Sequence, residues 1–108
     1  MSKLHIQQSI FAKNIAQLIL WCFANGYEAT LVEGYDDDGI GHMKNSLHYS
    51  RLAQDLNLFR NGIYLKDTKD YERAGVAWKL LHEDNRWGGD FVNKDGNHFS
   101  MSIGDGRA

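Results

Sequence analysis

The chain has 108 residues, of which 43% are apolar and 24% charged, with a formal net charge of -2 and a pI near 6.2. This length and composition predict one ordinary globular domain spanning residues 1–108. A weakly acidic chain lacks the basic surface that nucleic-acid binding needs, so we expect no nucleic-acid partner. No apolar run approaches the roughly 18 residues needed to cross a bilayer, so we expect no membrane insertion.

The amino-terminal third predicts a scaffold helix followed by a strand. Residues 4–24 carry apolar side chains at spacings of one, three and four, typical of an amphipathic helix: Ile6, Ile10, Phe11, Ile15, Leu18, Ile19 and Cys22. Polar residues interrupt this run and no cleavage site follows, so we interpret it as part of the fold and not as a signal peptide. Asn25-Gly26 ends the helix, and residues 27–33 predict a strand. The only cysteine, Cys22, is expected to be a buried thiol.

The acidic loop at residues 34–44 resembles a calcium loop only superficially. Asp36, Asp37 and Asp38 lack the required spacing and the closing glutamate, which favours a solvated loop. After it, Asn61-Gly62 predicts a two-residue hairpin that pairs residues 56–59 with residues 63–65.

The last third predicts a second helix and a final strand. Asp67 or Thr68 is expected to cap the helix, whose core stripe is Tyr71, Ala74, Trp78 and Leu81. The glycines in residues 86–91 allow close backbone approach or sharp curvature, and residues 98–103 predict a strand.

Strand alternation points two chemically active side chains out of the core. Asp55 and Asn57 alternate with leucines, and His98 shares one face with Ser100 and Ser102. If these two strands are neighbours, Asp55 and His98 come together, and His48, seven residues before Asp55, can join them. Two imidazoles and one carboxylate are the three protein ligands of a catalytic zinc site, whose fourth position is left for water.

Asp95 is the candidate proton carrier, because it lies three residues before His98 and is followed by the flexible Gly96. Its simpler interpretation is a turn aspartate. His5, His42 and His82 are interpreted as ordinary surface or hydrogen-bonded residues.

The pattern of these residues resembles that of the zinc peptidases that cut peptidoglycan stem peptides. This family includes VanY-like D-alanyl-D-alanine carboxypeptidases and the L-alanyl-D-glutamate endopeptidases that serve as phage endolysins. The motifs that carry the resemblance are Ser46-x-His48, Asp55-Leu56, Trp87-Gly88-Gly89-Asp90-Phe91 and Asp95-x-x-His98-Phe99. They extend over most of the chain, from about residue 27 to residue 103.

The resemblance implies an α+β fold, in which a small antiparallel sheet is backed by helices and carries one Zn²⁺ on its open face. It makes His48, Asp55 and His98 the zinc ligands and Asp95 the general base and acid. Trp87 is a candidate for the substrate cleft, with a core position as its alternative. Many relatives carry an arginine where this chain has Asp36. Arg51 is a candidate substitute, with a surface role as its alternative.

The function implied is hydrolysis of an amide bond in peptidoglycan stem peptides by an L-alanyl-D-glutamate endopeptidase. We expect a monomeric phage endolysin that stays in the host cytoplasm until a holin releases it to the cell wall. The alternatives are a D-alanyl-D-alanine carboxypeptidase and a non-catalytic cell-wall-binding relative. A small His-metal nuclease is a further alternative, which the acidic charge disfavours.

Overall fold

The computed structural model describes residues 2–32 and 50–102. This part of the chain contains two α-helices, two short 3-10 helices and five strands. They are α1 (Lys3–Ala24), β1 (Glu28–Val32), β2 (Ala53–Arg60), β3 (Ile63–Leu65), a 3-10 helix (Thr68–Tyr71), α2 (Glu72–Leu81), β4 (Asn85–Trp87), a second 3-10 helix (Gly88–Asp90) and β5 (His98–Met101). This architecture confirms the α+β class.

The strands form one antiparallel sheet in the order β1-β2-β5-β4, and β3 also pairs with β2. β3 and β5 lie along the same edge of β2, at its opposite ends, because β1 occupies the other edge. The last strand is therefore inserted next to the second one. This insertion positions the candidate site.

The hairpin between β2 and β3 forms at Asn61-Gly62, as predicted. Both residues have positive φ, 53° and 76°, and Arg60 pairs with Ile63 across the turn. Two successive left-handed residues are typical of a tight hairpin turn, and Asn-Gly is the pair that adopts it most readily. The turn sets the register that places Leu58 opposite Leu65.

The core lies between the helices and one face of the sheet. It contains Leu56 and Leu58 from β2 and Phe99 and Met101 from β5, all at most 2% exposed. From the helices it receives Phe11, Leu18, Cys22, Tyr71, Ala74 and Trp78. The Trp78 ring makes edge-on contacts with Phe11 and Phe99. The predicted stripe of α2 is therefore the buried one, although its Leu81 is only partly buried.

Helix α1 is buried along the predicted stripe only from Phe11 onward. Its buried positions are Phe11, Asn14, Leu18 and Cys22, whereas Ile6 is 47% exposed and Ile10 is 37% exposed. Apolar spacing identified the right face over the last three turns. It could not show that the core stops short of the first turns. Neither helix of the described residues is long and apolar enough to span a membrane.

Candidate metal centre

Asp55 and His98 are direct neighbours in the sheet. Asp55 in β2 pairs with His98 at the start of β5, and the carboxylate Oδ1 lies 3.4 Å from the imidazole Nδ1. Both side chains project from the sheet face opposite the helices, since the leucines beside Asp55 point into the core. Even so, His98 is only 7% exposed, and Ser100 on the same face is fully buried. The alternation pattern thus assigned the face correctly, but this face is not exposed at these two positions.

Asp95 joins this pair through a tight turn. The Asp95 carbonyl accepts a hydrogen bond from the His98 backbone N–H at 3.1 Å, and the Asp95 N–H donates to the Gly88 carbonyl at 2.9 Å. One ligand atom each from Asp55, Asp95 and His98 lies within 4.8 Å of the others. Asp95 is exposed whereas His98 is buried, so the cluster faces solvent on its Asp95 side.

The glycine at position 88 makes this close approach possible. A Cβ atom built on Gly88 would overlap the Asp95 carbonyl and would lie 2.8 Å from the His98 Cβ. Real Cβ atoms do not come so close to other atoms, so only glycine fits here. Of the two predicted roles of the glycine pair, close backbone approach and sharp curvature, the structure shows the close approach.

Trp87 supports the same turn from the core. Its side chain is 6% exposed, and its indole N–H donates to the Gly96 carbonyl at 2.7 Å. Cβ atoms on Gly75 or Gly89 would collide with the indole ring, so the ring is packed against two glycine backbones. The structure places Trp87 in the core, which was the alternative to a position in the cleft.

The donor set fits a zinc ion chemically. Imidazole nitrogen and carboxylate oxygen bind Zn²⁺ at about 2.0–2.2 Å, and two tetrahedral ligands at that distance are about 3.3–3.6 Å apart. The 3.4 Å between Asp55 Oδ1 and His98 Nδ1 matches this separation. The separation of Asp55 and His98 therefore fits two ligands of one ion, and a ligand atom of Asp95 lies within 4.8 Å of theirs.

The structure does not connect the remaining predicted site residues to the cluster within the described chain. His48, the proposed third ligand, lies outside the described residues, as does Asp36. Arg51 is exposed, with a φ of 60°, and immediately precedes the buried Leu52. No contact in the described chain connects Arg51 to the cluster, and its suggested substrate role stays a prediction.

Sequence reasoning missed two lysines near the cluster. Lys66 and Lys94 line the same pocket as Asp95, although they are far apart in sequence. Lys94 could have been predicted to lie near the site, because it immediately precedes Asp95. No sequence pattern indicates that Lys66 lies near Asp95.

The fold and the cluster define a small α+β protein with a candidate metal centre where two antiparallel strands meet. The model of the peptidase M15 family described as D-alanyl-D-alanine carboxypeptidase matches residues 41–101, more than half of the chain and all four residues of the predicted zinc site. The chain belongs to this family and is a VanY-like peptidase that acts on peptidoglycan.

Comparison with solved structures supports the same fold. The L-Ala D-Glu endopeptidase ChiX of Serratia marcescens superposes with a TM-score of 0.68 at 20% sequence identity. The match covers 91% of this chain and 82% of the Serratia chain. A search of curated proteins finds no significant match.

Proposed function

We propose that the chain is a zinc-dependent L-alanyl-D-glutamate endopeptidase that serves as a phage endolysin. The observation that carries the proposal is the 3.4 Å approach of Asp55 Oδ1 to His98 Nδ1, with Asp95 in the same cluster, in a member of a peptidoglycan peptidase family. Carboxylate and imidazole are the ligand types that catalytic zinc sites use.

In this proposal Asp55, His98 and His48 hold the ion, and Asp95 is kept for proton transfer. Zn²⁺, when bound, supplies Lewis-acid chemistry to a carbonyl group and to water at neutral pH. The pairing of β2 with β5 fixes the backbone of the two described ligands before any ion arrives, because Asp55 and His98 are paired in the sheet. Such preorganisation is what a catalytic metal site needs.

Asp95 is suited to moving a proton. Its side chain is exposed, while its backbone is held at both ends by hydrogen bonds to Gly88 and His98. A carboxylate oxygen of Asp95 accepts a proton from the attacking water and later gives it to the nitrogen of the departing amine. The carboxylate can do both because the turn fixes its position without burying it.

The structural likeness supports the choice of the L-alanyl-D-glutamate bond. The Serratia protein is an L-Ala D-Glu endopeptidase and matches most of this chain, which supports the endopeptidase over the carboxypeptidase. Cleavage of the D-alanyl-D-alanine bond is the alternative, supported by the description of the matching family.

An endolysin must leave the host cytoplasm before it can reach the cell wall. We place the protein as a monomer in the host cytoplasm, from which a holin lets it reach the cell wall. A lysis assay in cells that express the chain with and without a holin tests it: lysis should require both.

Mass spectrometry of digested peptidoglycan tests the proposed activity. Purified peptidoglycan is incubated with the metal-stripped protein, with and without added Zn²⁺, and the new amino termini of the fragments are assigned. The expected product has a free amino group on D-glutamate and forms only with the metal. Release of D-alanine alone would support the carboxypeptidase. Absence of any cleavage, together with retention on peptidoglycan, would support the non-catalytic relative.

A further inference from the structure

A polar pocket of about 250 Å³ opens beside Asp95. It lies between the chain that leaves β3 and the turn before β5, and Tyr71 is one of its lining residues. The Tyr71 hydroxyl donates to the Leu65 carbonyl at 2.6 Å and accepts from the Leu58 N–H at 3.0 Å. These bonds tie the pocket to β2 and β3, so its wall is part of the rigid sheet.

Two lysines give this pocket a positive charge. Lys66 and Lys94 line it together with Asp95, which is the one acidic residue among the lining residues that belong to residues 2–32 and 50–102. Lys94 Nζ donates to the Gly89 carbonyl at 3.1 Å, so two of its three N–H donors are left for another acceptor. Lys66 forms no ion pair within residues 2–32 and 50–102.

The other lining groups also suit an anion. Tyr64 and Thr68 bring hydroxyl groups and Asn97 brings an amide, so the pocket is lined mainly by polar surface. Ligand pockets for whole drug-sized molecules occupy about 300–1,000 Å³, so this smaller one fits a fragment about the size of one amino acid. The pocket therefore has the charge and the size for a single carboxylate-bearing residue.

We propose that this pocket binds the free α-carboxylate of the residue on the amine side of the cleaved bond, with Lys94 and Lys66 as its ligands. The inference rests on the proposed function and names the substrate group that it recognises. In the stem peptide, D-glutamate is linked onward through its γ-carboxyl group, so its α-carboxylate stays free beside the nitrogen that is cleaved. Asp95 lines the pocket and gives that same nitrogen its proton. The α-carboxylate of D-glutamate would therefore lie in the lysine pocket while its nitrogen lies at Asp95.

The test compares two synthetic stem peptides that differ only in this group. One carries the free α-carboxylate on D-glutamate and the other carries the α-carboxamide. The variants are Lys94→Gln, Lys66→Gln and the double variant, and Lys13→Gln on the exposed side of α1 is the matched control. For each protein, kcat/KM is measured on both peptides.

Wild-type protein should prefer the carboxylate peptide by about 10- to 100-fold, as expected for charge-assisted hydrogen bonds. The double variant should lose this preference by slowing only on the carboxylate peptide, and Lys13→Gln should keep it. Because Lys94 also bonds the Gly89 carbonyl, a purely structural role would slow both peptides equally. Equal loss on both peptides, or equal wild-type cleavage of both, would overturn the proposal.

A binding measurement separates this inference from the proposed activity. The dipeptide γ-D-glutamyl-lysine has no cleavable L-alanyl bond. Its binding is followed by calorimetry with the α-carboxylate of D-glutamate either free or amidated. Carboxylate-selective binding that needs the lysines would uphold the pocket even if no peptide were cleaved. Cleavage without such selectivity would uphold the endopeptidase and reject the pocket.

Discussion

Asp55 and His98 face each other across β2 and β5, with Asp55 Oδ1 3.4 Å from His98 Nδ1. The two residues are 43 positions apart in the chain, and the sheet alone brings them together. Because each sits next to buried core residues, their separation is set by strand pairing and not by flexible loops. This is the geometric basis for expecting a divalent ion here.

Replacing either partner should remove zinc binding. We expect Asp55→Asn and His98→Gln to keep the fold and to lose most of the bound Zn²⁺ measured by elemental analysis, because the first replaces a charged carboxylate by a neutral amide and the second removes the imidazole nitrogen. Added zinc should stabilise wild-type protein, by about 2.7 kcal/mol at 100 times the dissociation constant, and should leave both variants unchanged. His5→Gln, on the exposed start of α1, is the control. Full zinc content in His98→Gln would exclude His98 as a ligand.

Replacing Asp95 should separate catalysis from metal binding. Asn is nearly isosteric with Asp and also favours turns, so Asp95→Asn should keep the turn and the bound zinc. Loss of the proton carrier should lower kcat by about a hundredfold to ten-thousandfold. The control is Asp90→Asn, which removes an exposed carboxylate whose ion pair with Lys79 contributes little. If Asp95→Asn cleaves peptidoglycan at the wild-type rate, Asp95 is not the proton carrier.

The sequence was sufficient to predict the parts of the fold that depend on local chemistry. Alternation put Asp55 and His98 on the same kind of face, and Asn61-Gly62 specified the hairpin because both residues tolerate positive φ. It was not sufficient for features that depend on distant packing. The burial of His98 and Ser100, on the face that alternation assigns to polar side chains, is one such feature, because no local pattern encodes what packs over a sheet face.

The same limit explains the errors in α1 and the missed pocket. Ile6 and Ile10 have the spacing of core residues, but spacing does not report how far the core extends along a helix. Lys66 and Lys94 meet only because β3 and β5 share one edge of β2. Such a meeting requires the strand order, which the sequence did not reveal.

Trp87 should act on stability and not on substrate affinity. Trp87→Phe removes the indole N–H that bonds the Gly96 carbonyl and leaves that buried acceptor without its donor. This should cost about 1–3 kcal/mol in the free energy of unfolding, measured in urea, while KM stays near the wild-type value. Trp21→Phe, which changes a partly buried tryptophan outside the site, is the comparison. A large rise in KM with unchanged stability would favour the cleft position instead.

Cys22 should make the protein less stable at high pH. Burial raises the pKa of the Cys22 thiol to about 11 from an ordinary 9.0, so the unfolded chain loses this proton first. The contribution of the buried thiol is complete below pH 9 and falls by about 2–3 kcal/mol as the pH rises to 11. Comparing urea unfolding of wild type and Cys22→Ala across this range isolates the effect, since all other groups titrate in both. Parallel curves for the two proteins would contradict it.

Gly88 should be needed for the geometry of the site itself. In Gly88→Ala the new methyl group overlaps the Asp95 carbonyl and crowds the His98 Cβ, and neither of these atoms belongs to a flexible side-chain end. Overpacking of this kind costs about 1–3 kcal/mol, which for a domain of this size lowers Tm by roughly 4–20 °C.

Activity distinguishes displacement of the site from simple destabilisation. Gly62→Ala is the matched control, because it strains a residue with a φ of 76° in the hairpin turn but meets no atom within 4 Å. Both variants should melt at lower temperature than wild type. Only Gly88→Ala should also lose zinc affinity and kcat at a temperature where it is fully folded, since only there does the strain move Asp95 relative to His98. Wild-type turnover by folded Gly88→Ala would mean that the cluster tolerates this shift, and that the close approach serves packing alone.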